Sequence, residues 1–231
     1  MNNSDMYILA ADTTTPAGSV ALLNKNKLLA EINSEAGLSH SENLLPSIDF
    51  LLKKFKMTIG EIEGLALAIG PGSFTGIRVG MSTFKSLAFA SGKPVAPVST
   101  LEAMAWKLRH PQARLLCPMM DAKKGEVYAA LFESKGSGLD EVIPQGVYKP
   151  DSFFSMLPVR RVIYFIGAGA SAFHDKLFQY LGDKARFPSR SPFIAGEVGY
   201  LGYQILKKGA GRDFLDIEPL YFRRSQAEEN R

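Results

Sequence analysis

A short apolar run that ends in glycines places the strongest constraint on the fold of this chain. Residues 65–69 (LALAI) are typical of a buried strand, and Gly70, Gly72 and Gly76 follow before a segment with helical spacing, residues 77–89. A strand that feeds a helix through glycines leaves free backbone N–H groups at the helix start, where the helix dipole favours an anion. The same glycines would let a second backbone approach closely. The stretch therefore predicts an α/β unit whose loop serves either phosphate binding or close packing.

Composition limits the class of protein. The chain has 231 residues, of which 46% are hydrophobic and 22% charged, and a formal net charge of +4, which is ordinary for a soluble globular protein with a mild basic excess. The single cysteine, Cys117, excludes an internal disulfide and a cysteine-based zinc site, and we expect it to be a buried, inert thiol. No apolar run is long enough to span a membrane, and the N-terminus lacks the basic and apolar regions of a signal peptide. We therefore expect a cytoplasmic protein.

The elements around the glycine loop predict a β-β-β-α-β-α-β unit. Three short strands separated by tight turns come first, at residues 7–12, 19–23 and 28–32. A helix follows, because Ser39 and Glu42 fit a capping box and the apolar residues from 44 to 55 recur on one face. Pro46 must either kink this helix or mark its first turn. The glycine-loop strand and helix, and a strand at residues 94–98, complete the unit.

The second half of the chain repeats this pattern more loosely. Residues 115–132 repeat the first two strands with their intervening aspartate and turn, and residues 162–173 repeat the strand, the glycines and the helix start. Such an internal repeat is typical of a duplicated architecture. We therefore predict two lobes, residues 1–105 and 106–231, with long loops in the second lobe and a final helix at 195–208. The apolar tail beyond that helix needs a packing surface, for which the first lobe is a candidate.

The glycine loop matches no standard nucleotide motif. Its spacing is one residue too long for the dinucleotide fingerprint G-x-G-x-x-G, and it lacks the Lys-Ser/Thr pair of a P-loop. One interpretation is that a phosphate or nucleotide contact persists; the residues that would make it are Asp12, Gly70, Gly72, Ser73, Thr75 and Gly76. The other is that Gly72, Gly76 and Gly80, which recur every four residues, form a smooth strip for close packing. Both stay open at this point.

Two aspartates end strands just before turns. In a two-lobed phosphate-binding fold, carboxylates at the positions of Asp12 and Asp121 hold a metal ion or a water molecule; alternatively, each caps its own turn. Both interpretations stay open for Asp12, and turn capping is favoured for Asp121. The three histidines, His40, His110 and His174, are far apart in sequence and show no metal-binding pair. The histidines therefore predict no metal site, and we expect no cofactor.

The two helices that flank the glycine-loop strand have wide apolar faces. Both faces exceed what one sheet must cover, so they indicate either a surface for a partner or two ordinary core helices. The residues that would form the partner surface are Leu44, Leu45, Ile48, Leu52, Ile77, Met81, Phe84 and Lys85.

Five sequence blocks, in order from end to end, resemble the TsaB family, also called YeaZ. They are residues 9–14 (LAADTT), His40-x-x-x-Leu44-Leu45-Pro46, residues 69–80 (IGPGSFTGIRVG), residues 121–128 and residues 218–221. This family is the dimerisation subunit of the bacterial machinery that makes threonylcarbamoyladenosine (t6A) at position 37 of tRNAs. The resemblance implies the α/β, two-lobed fold of the actin, Hsp70 and sugar-kinase superfamily (ribonuclease H-like), with duplicated lobes.

The resemblance also implies a non-catalytic role. In the catalytic relative, TsaD, a His-x-x-x-His pair after the strand that follows the loop helix binds the metal, and the corresponding positions here are Thr100 and Met104. Neither side chain replaces an imidazole ligand. The resemblance thus implies a scaffold that binds the TsaD-type transferase through the two helices, or pairs with a second copy of itself when alone. A TsaE-type ATPase joins the assembled pair, and contact with tRNA occurs only through the complex.

Three other functions compete with this one. A tRNA-binding module that acts alone has little in its favour, because the net charge is modest and no basic stripe is present. Two enzymatic functions remain. The first is an actin-like nucleotide-binding ATPase that uses Asp12 and the glycine loop. The second is a glycoprotease-like peptidase, against which the missing metal ligands count.

Overall fold

The structure, a computed structural model that describes residues 5–34, 40–136 and 138–223, contains two five-stranded sheets. The first sheet consists of β1 (Tyr7–Asp12), β2 (Gly18–Asn24), β3 (Lys27–Ser34), β4 (Gly64–Ala68) and β5 (Val95–Val98). Its spatial order is β3-β2-β1-β4-β5. The first three strands pair antiparallel because tight turns join them, whereas β4 and β5 add parallel strands after helical connections.

The second sheet has the same topology as the first. It consists of β6 (Leu115–Asp121), β7 (Val127–Lys135), β8 (Gly138–Tyr148), β9 (Ile163–Ile166) and β10 (Ala185–Arg186). Its spatial order, from the β8 edge, is β8-β7-β6-β9-β10, with β6–β7 and β7–β8 antiparallel and the other two pairs parallel. Each strand therefore occupies the position of its counterpart in the first sheet, and the predicted duplication is confirmed.

Helices connect the strands in both sheets. They are α1 (His40–Lys54), α2 (Phe74–Ser91), α3 (Thr100–Lys107), α4 (Pro150–Ser155), α5 (Ala168–Ala172), α6 (His174–Leu181) and α7 (Ala195–Lys207). Pro46 lies inside α1, so the alternative that it marks the first turn is wrong. Its side chain is exposed, which lets water reach the carbonyl group left without a donor. The proposed capping box includes Ser39, which lies outside the described residues. Within the part of the chain that the structure describes, every helix is too short or too polar to cross a membrane.

The chain divides into two compact units at positions that differ from the predicted lobes. The first unit contains residues 1–103 and 193–220, and the second contains residues 104–192 and 221–231. The prediction places residues 193–220, which include α7, in the second lobe, whereas in the structure they belong to the first unit.

The glycines of α7 explain why this helix packs on the first sheet. A side chain at Gly199 would lie 2.1 Å from Leu23 Cδ1, and one at Gly202 would lie 2.3 Å from the Ala66 Cβ atom. Only glycine lets the helix axis come this close to β2 and β4. The three-residue spacing, which begins at Gly196, places these glycines on one side of the helix.

The second unit is more regular than the sequence predicted. The glycines near residue 137 and Pro144 indicated long loops, but residues 138–148 form β8, which pairs with β7 through two register shifts. These irregularities accommodate the strand-breaking residues at an edge position. The short helices α3 and α4 lie in stretches for which the sequence predicts no helix, whereas α5 begins where the repeated glycine pattern predicts a helix start.

Each unit has its own apolar core. The first includes Leu9, Leu22, Leu51, Leu67 and Phe84. The second includes Cys117, Val127, Phe153, Phe165 and Leu177. Complete burial raises the pKa of the Cys117 thiol, so the prediction of an inert cysteine is supported by its position in this core.

Candidate functional site

The glycine loop packs directly against the turn between β1 and β2. A Cβ atom at Gly72 would lie 2.2 Å from the carbonyl oxygen of Thr14, and one at Gly76 would lie 1.9 Å from the carbonyl oxygen of Thr13. At Gly80 a Cβ atom would lie 2.5 Å from Thr13 Oγ1. The regular spacing of these glycines therefore creates the strip on which this turn rests, as the close-packing interpretation requires.

The polar backbone groups at the start of α2 are already bonded within the chain. Ser73 N–H donates to the Thr14 carbonyl (2.7 Å), and Gly76 N–H donates to the Ser73 hydroxyl, which caps the helix (3.2 Å). Thr13 Oγ1 donates to the Gly76 carbonyl (2.8 Å). Two of the N–H groups that a phosphate cradle would present are thus engaged by protein oxygens.

The first residues of the loop are held from two further directions. Thr100 N–H, at the start of α3, donates to the Gly70 carbonyl (2.8 Å), and Leu220 N–H donates to the Ile69 carbonyl (2.8 Å). Gly70 has φ of +120°, and a Cβ atom there would lie 2.6 Å from the Leu220 carbonyl oxygen. Only glycine combines this backbone conformation with so close a neighbour. The apolar tail, for which the first lobe was the candidate packing surface, therefore contacts the glycine loop at Leu220.

Asp12 is completely buried at the end of β1. Its Oδ1 atom accepts hydrogen bonds from the Thr14 N–H (2.8 Å) and the Thr14 hydroxyl (2.6 Å). Oδ2 is also buried and has no hydrogen-bond partner among the described residues. Burial raises the pKa of the Asp12 carboxyl to about 6, against the two bonds from Thr14, which lower it. Asp12 therefore caps its own turn with one oxygen and keeps the other unpaired.

The buried polar residues of the described chain all lie around this turn. They are Asp12, Thr13, Thr14, Ser19 and Thr100. Thr100 Oγ1 donates to Thr14 Oγ1 (3.1 Å), and Ser19 Oγ accepts from Ala195 N–H at the start of α7 (3.0 Å). Glu31 Oε1 accepts from Gly196 N–H (2.9 Å), so two side chains cap the first turn of α7. This network ties α3 and α7 to the β1–β2 turn.

Asp121, the counterpart of Asp12 in the second sheet, has a different environment. It is exposed; its Oδ1 atom accepts from Lys123 N–H (2.7 Å) and its Oδ2 atom from Lys123 Nζ (2.9 Å). These hydrogen bonds to Lys123 lower the pKa of the Asp121 carboxyl. This is the turn-capping role that the sequence favoured.

The chemistry available at this site is limited. Thr100 is fully buried, and its hydroxyl donates a hydrogen bond to the Thr14 hydroxyl. Met104 is 6% exposed. Its Cε atom packs against Gly167, 2.5 Å from the point that a Cβ atom on this glycine would occupy. Neither residue offers a nitrogen ligand. Across the described residues, no group of three or more His, Cys, Asp or Glu side chains is arranged to hold a metal ion.

Most of the predicted partner surface is inside the protein. Six of the eight residues are buried, with exposed fractions of 9% or less: Leu44, Ile48, Leu52, Ile77, Met81 and Phe84. Their prediction as surface residues needs correction, because both helices use their wide apolar faces to cover the first sheet and each other. Leu45 is 53% exposed and Lys85 is partly exposed, so these two lie on the surface.

The exposed faces of α1 and α2 carry residues that are not part of the predicted partner surface. On α1, Pro46 and Phe50 are exposed beside Leu45, and Phe50 is 63% exposed. On α2, two small residues lie between larger ones along the exposed side, in the order Arg78, Ser82, Ser86 and Phe89. The sequence did contain a signal for Phe50. When α1 is drawn as a helical wheel with Leu44 and Ile48 on the buried side, Phe50 falls on the opposite, exposed side.

Comparisons with known proteins show which family this chain resembles. The family model for TsaD, tRNA N6-adenosine threonylcarbamoyltransferase, matches residues 32–187. The tRNA threonylcarbamoyladenosine biosynthesis protein TsaB of Bacillus subtilis is 30% identical over 96% of both chains. The protein of the same name from Haemophilus influenzae is 31% identical over 95% of this chain and 94% of its own length.

A solved structure shows the same fold. YeaZ from Pseudomonas aeruginosa superposes with a TM-score of 0.78 at 25% identity, over 94% of this chain and 99% of that one. The predicted α/β fold with two duplicated five-stranded sheets is confirmed. Near-complete coverage by named relatives and by this structure leads to one conclusion: the chain belongs to the TsaB (YeaZ) family.

Proposed function

We propose that this protein is a non-catalytic subunit of the machinery that forms t6A at adenosine 37 of tRNA, and that it acts by binding a TsaD-type transferase. The observation that carries the proposal is the end-to-end similarity to proteins named tRNA threonylcarbamoyladenosine biosynthesis protein TsaB. The match to the TsaD family model supports a shared ancestry with the transferase itself.

The absence of catalysis is inferred from the site. Thr100 and Met104 stand where the resemblance implies the metal-binding histidines of TsaD, and both side chains are buried in apolar or hydroxyl contacts. A group transfer that depends on a bound metal would therefore need a partner to supply the ligands.

The nucleotide-binding ATPase alternative receives less support. Two of the backbone N–H groups that its phosphate loop could offer, those of Ser73 and Gly76, already donate to the Thr14 carbonyl and to the Ser73 hydroxyl. The space beside Gly72 is occupied by the Thr14 carbonyl group. In this family member the loop supports the start of α2 and the turn after β1.

The exposed faces of α1 and α2 are the surface that we propose for the transferase and, when the chain is alone, for a second copy. Leu45 and Phe50 offer apolar side chains on α1, and the small hydroxyl residues Ser82 and Ser86 let a partner helix approach α2 closely. A TsaE-type ATPase would join the assembled pair, and tRNA would be bound by the assembly.

Reconstitution tests the proposed division of labour. The purified chain, given Mg²⁺ or Zn²⁺, threonylcarbamoyl-AMP and tRNA, is expected to form no t6A, whereas addition of the TsaD-type subunit from the same organism restores formation. Mass spectrometry of tRNA nucleosides measures the product. Product formed by the chain alone would overturn the proposal, as would full activity of the transferase without this chain.

A charge on the exposed face of α1 is expected to prevent association without unfolding the chain. The Leu45→Asp/Phe50→Asp double substitution should weaken binding to the TsaD-type subunit by roughly thirtyfold or more, because both side chains would have to be buried with their charge. Calorimetric titration measures the affinity, and size-exclusion chromatography measures self-association.

Two further variants make this test specific. Phe178→Asp places the same charge on an exposed aromatic residue of the second unit (54% exposed) and should leave binding unchanged. Met81→Asp, at a residue that is only 7% exposed, should instead lower the melting temperature. Wild-type affinity of the double variant would show that the partner binds another face.

A further inference from the structure

The second unit contains a basic depression that the proposed function does not use. It lies between the end of α3 and the strand β7, and its side chains include Arg109, His110, Arg114 and Ser134. Arg109 and Arg114 have no carboxylate partner among the described residues. An open depression with two arginines and no neutralising acid attracts anions.

The guanidinium group of Arg109 is held in place by the protein. Its Nε–H donates to Ser134 Oγ (3.2 Å), and its Nη2 group donates to the Gly136 carbonyl (2.5 Å). The Trp106 ring lies under it, with 4.0 Å between the Arg109 Cζ atom and the ring centroid. These contacts use two of the five guanidinium N–H donors and leave three for a ligand in a fixed orientation.

The neighbouring groups complete a set of donors. Gln112 N–H donates to His110 Nδ1 (3.3 Å), which leaves Nε2 as the ring nitrogen that can donate, and His110 is an exposed residue. Arg114 is exposed and also lines the depression. Arg109, His110 and Arg114 therefore present N–H groups from three side chains.

The nearest acidic side chain along β7 does not neutralise this set. Glu133 precedes Ser134, so its side chain points to the opposite face of the strand. It is already paired with Arg161 (2.5 Å) and Lys135 (3.4 Å). The positive charge of the depression thus remains available.

We propose that this depression binds a backbone phosphate of RNA, and that through it the chain contacts tRNA directly within the assembled complex. The inference rests on the proposed function for the identity of the RNA. A fixed guanidinium fork matches the oxygens of a phosphodiester, and an open surface lets an extended backbone lie across it. Because a phosphate carries no sequence information, such a contact is independent of base sequence.

The test measures tRNA binding by the complete assembly of this chain with its TsaD-type partner, at several salt concentrations. Arg114→Ala and Arg109→Lys should each weaken binding of an unmodified tRNA transcript by roughly three- to tenfold and lower the slope of log Kd against log salt by about one. Arg190→Ala removes one exposed positive charge of the same unit outside the depression and should change neither quantity. Arg114 is exposed, so its replacement leaves the fold intact and keeps the test valid if Arg109→Lys is destabilised.

The outcomes separate this inference from the proposed function. If the assembly forms t6A but both arginine variants bind tRNA as wild type does, the RNA contact is refuted and the function stands. If tRNA binding depends on the arginines but no t6A forms, the function fails and the RNA contact stands. Inorganic phosphate at millimolar concentration should not displace tRNA; displacement that requires Arg114 would assign the depression to small anions and overturn the inference.

Discussion

Replacement of Gly76 by alanine is expected to lower the free energy of unfolding by roughly 3 kcal/mol or more. The new Cβ atom would lie 1.9 Å from the Thr13 carbonyl oxygen, which is a backbone atom and cannot rotate away. Relief requires the β1–β2 turn to separate from α2, and this movement would break the 2.8 Å bond from Thr13 Oγ1 to the Gly76 carbonyl. Urea denaturation followed by circular dichroism measures the change.

Gly60→Ala provides the matched control. Gly60 lies in a short 3₁₀ helix (Ile59–Glu61), and the atom nearest to the added Cβ, Thr58 Oγ1, would be 3.6 Å away, an ordinary contact. We expect this variant to remain within about 1 kcal/mol of wild type. Equal stabilities of the two alanine variants would contradict the close-packing role of the glycine loop and reopen the phosphate interpretation.

Asp12→Asn is expected to stabilise the protein at pH 8 by about 2 kcal/mol relative to its effect at pH 4. Burial raises the pKa of the Asp12 carboxyl in the folded state to about 6 from an ordinary value of 3.8, so the unfolded chain loses this proton at lower pH than the folded chain does. In the wild-type protein, the stability associated with this group is complete below pH 3.8 and is lost as the pH rises through 6. The asparagine variant escapes that loss because its amide does not ionise.

The pH dependence is measured by urea denaturation of both proteins between pH 4 and pH 8. Asp121→Asn tests the same change at the corresponding position of the second sheet, where hydrogen bonds to Lys123 lower the carboxyl pKa. Here the sign is reversed: the wild-type side chain contributes stability that is present at neutral pH and lost in acid, so asparagine should bring no gain at pH 8. A stability difference between Asp12→Asn and wild type that is constant across this range would show that the buried carboxyl does not titrate as its environment requires.

The strand order of the first unit was accessible from the sequence because short turns and helix-length connections leave few topologies. The alternation around Val127 and the glycines near residue 167 also marked the second sheet as a copy of the first. In contrast, the edge strand β8 was missed because Gly138 and Pro144 are strand-breaking residues, and an edge position tolerates them through register shifts. Local patterns do not reveal which strand will lie at an edge.

The candidate site depended even more on tertiary packing. Apolar residues such as Leu44 and Met81 are equally common in a protein interface and in a core. Only the packing of α1 and α2 on the sheet shows that these two are buried in the core. Similarly, Asp12 and Asp121 end equivalent strands in similar sequence contexts, yet one is fully buried and the other exposed. The glycine spacing at 72, 76 and 80 did predict a packing strip, although nothing in the sequence identified Thr13 and Thr14 as its partner.

The glycine-lined contact of α7 with the first sheet has a consequence for the order of folding. Gly199 and Gly202 meet side chains of strands that were synthesised more than 130 residues earlier. During synthesis, the first sheet therefore keeps one apolar face uncovered until α7 (Ala195–Lys207) has emerged from the ribosome. A fragment that ends at residue 105 would keep that face exposed permanently, so the N-terminal half of this duplicated protein is not a domain that can be expressed by itself.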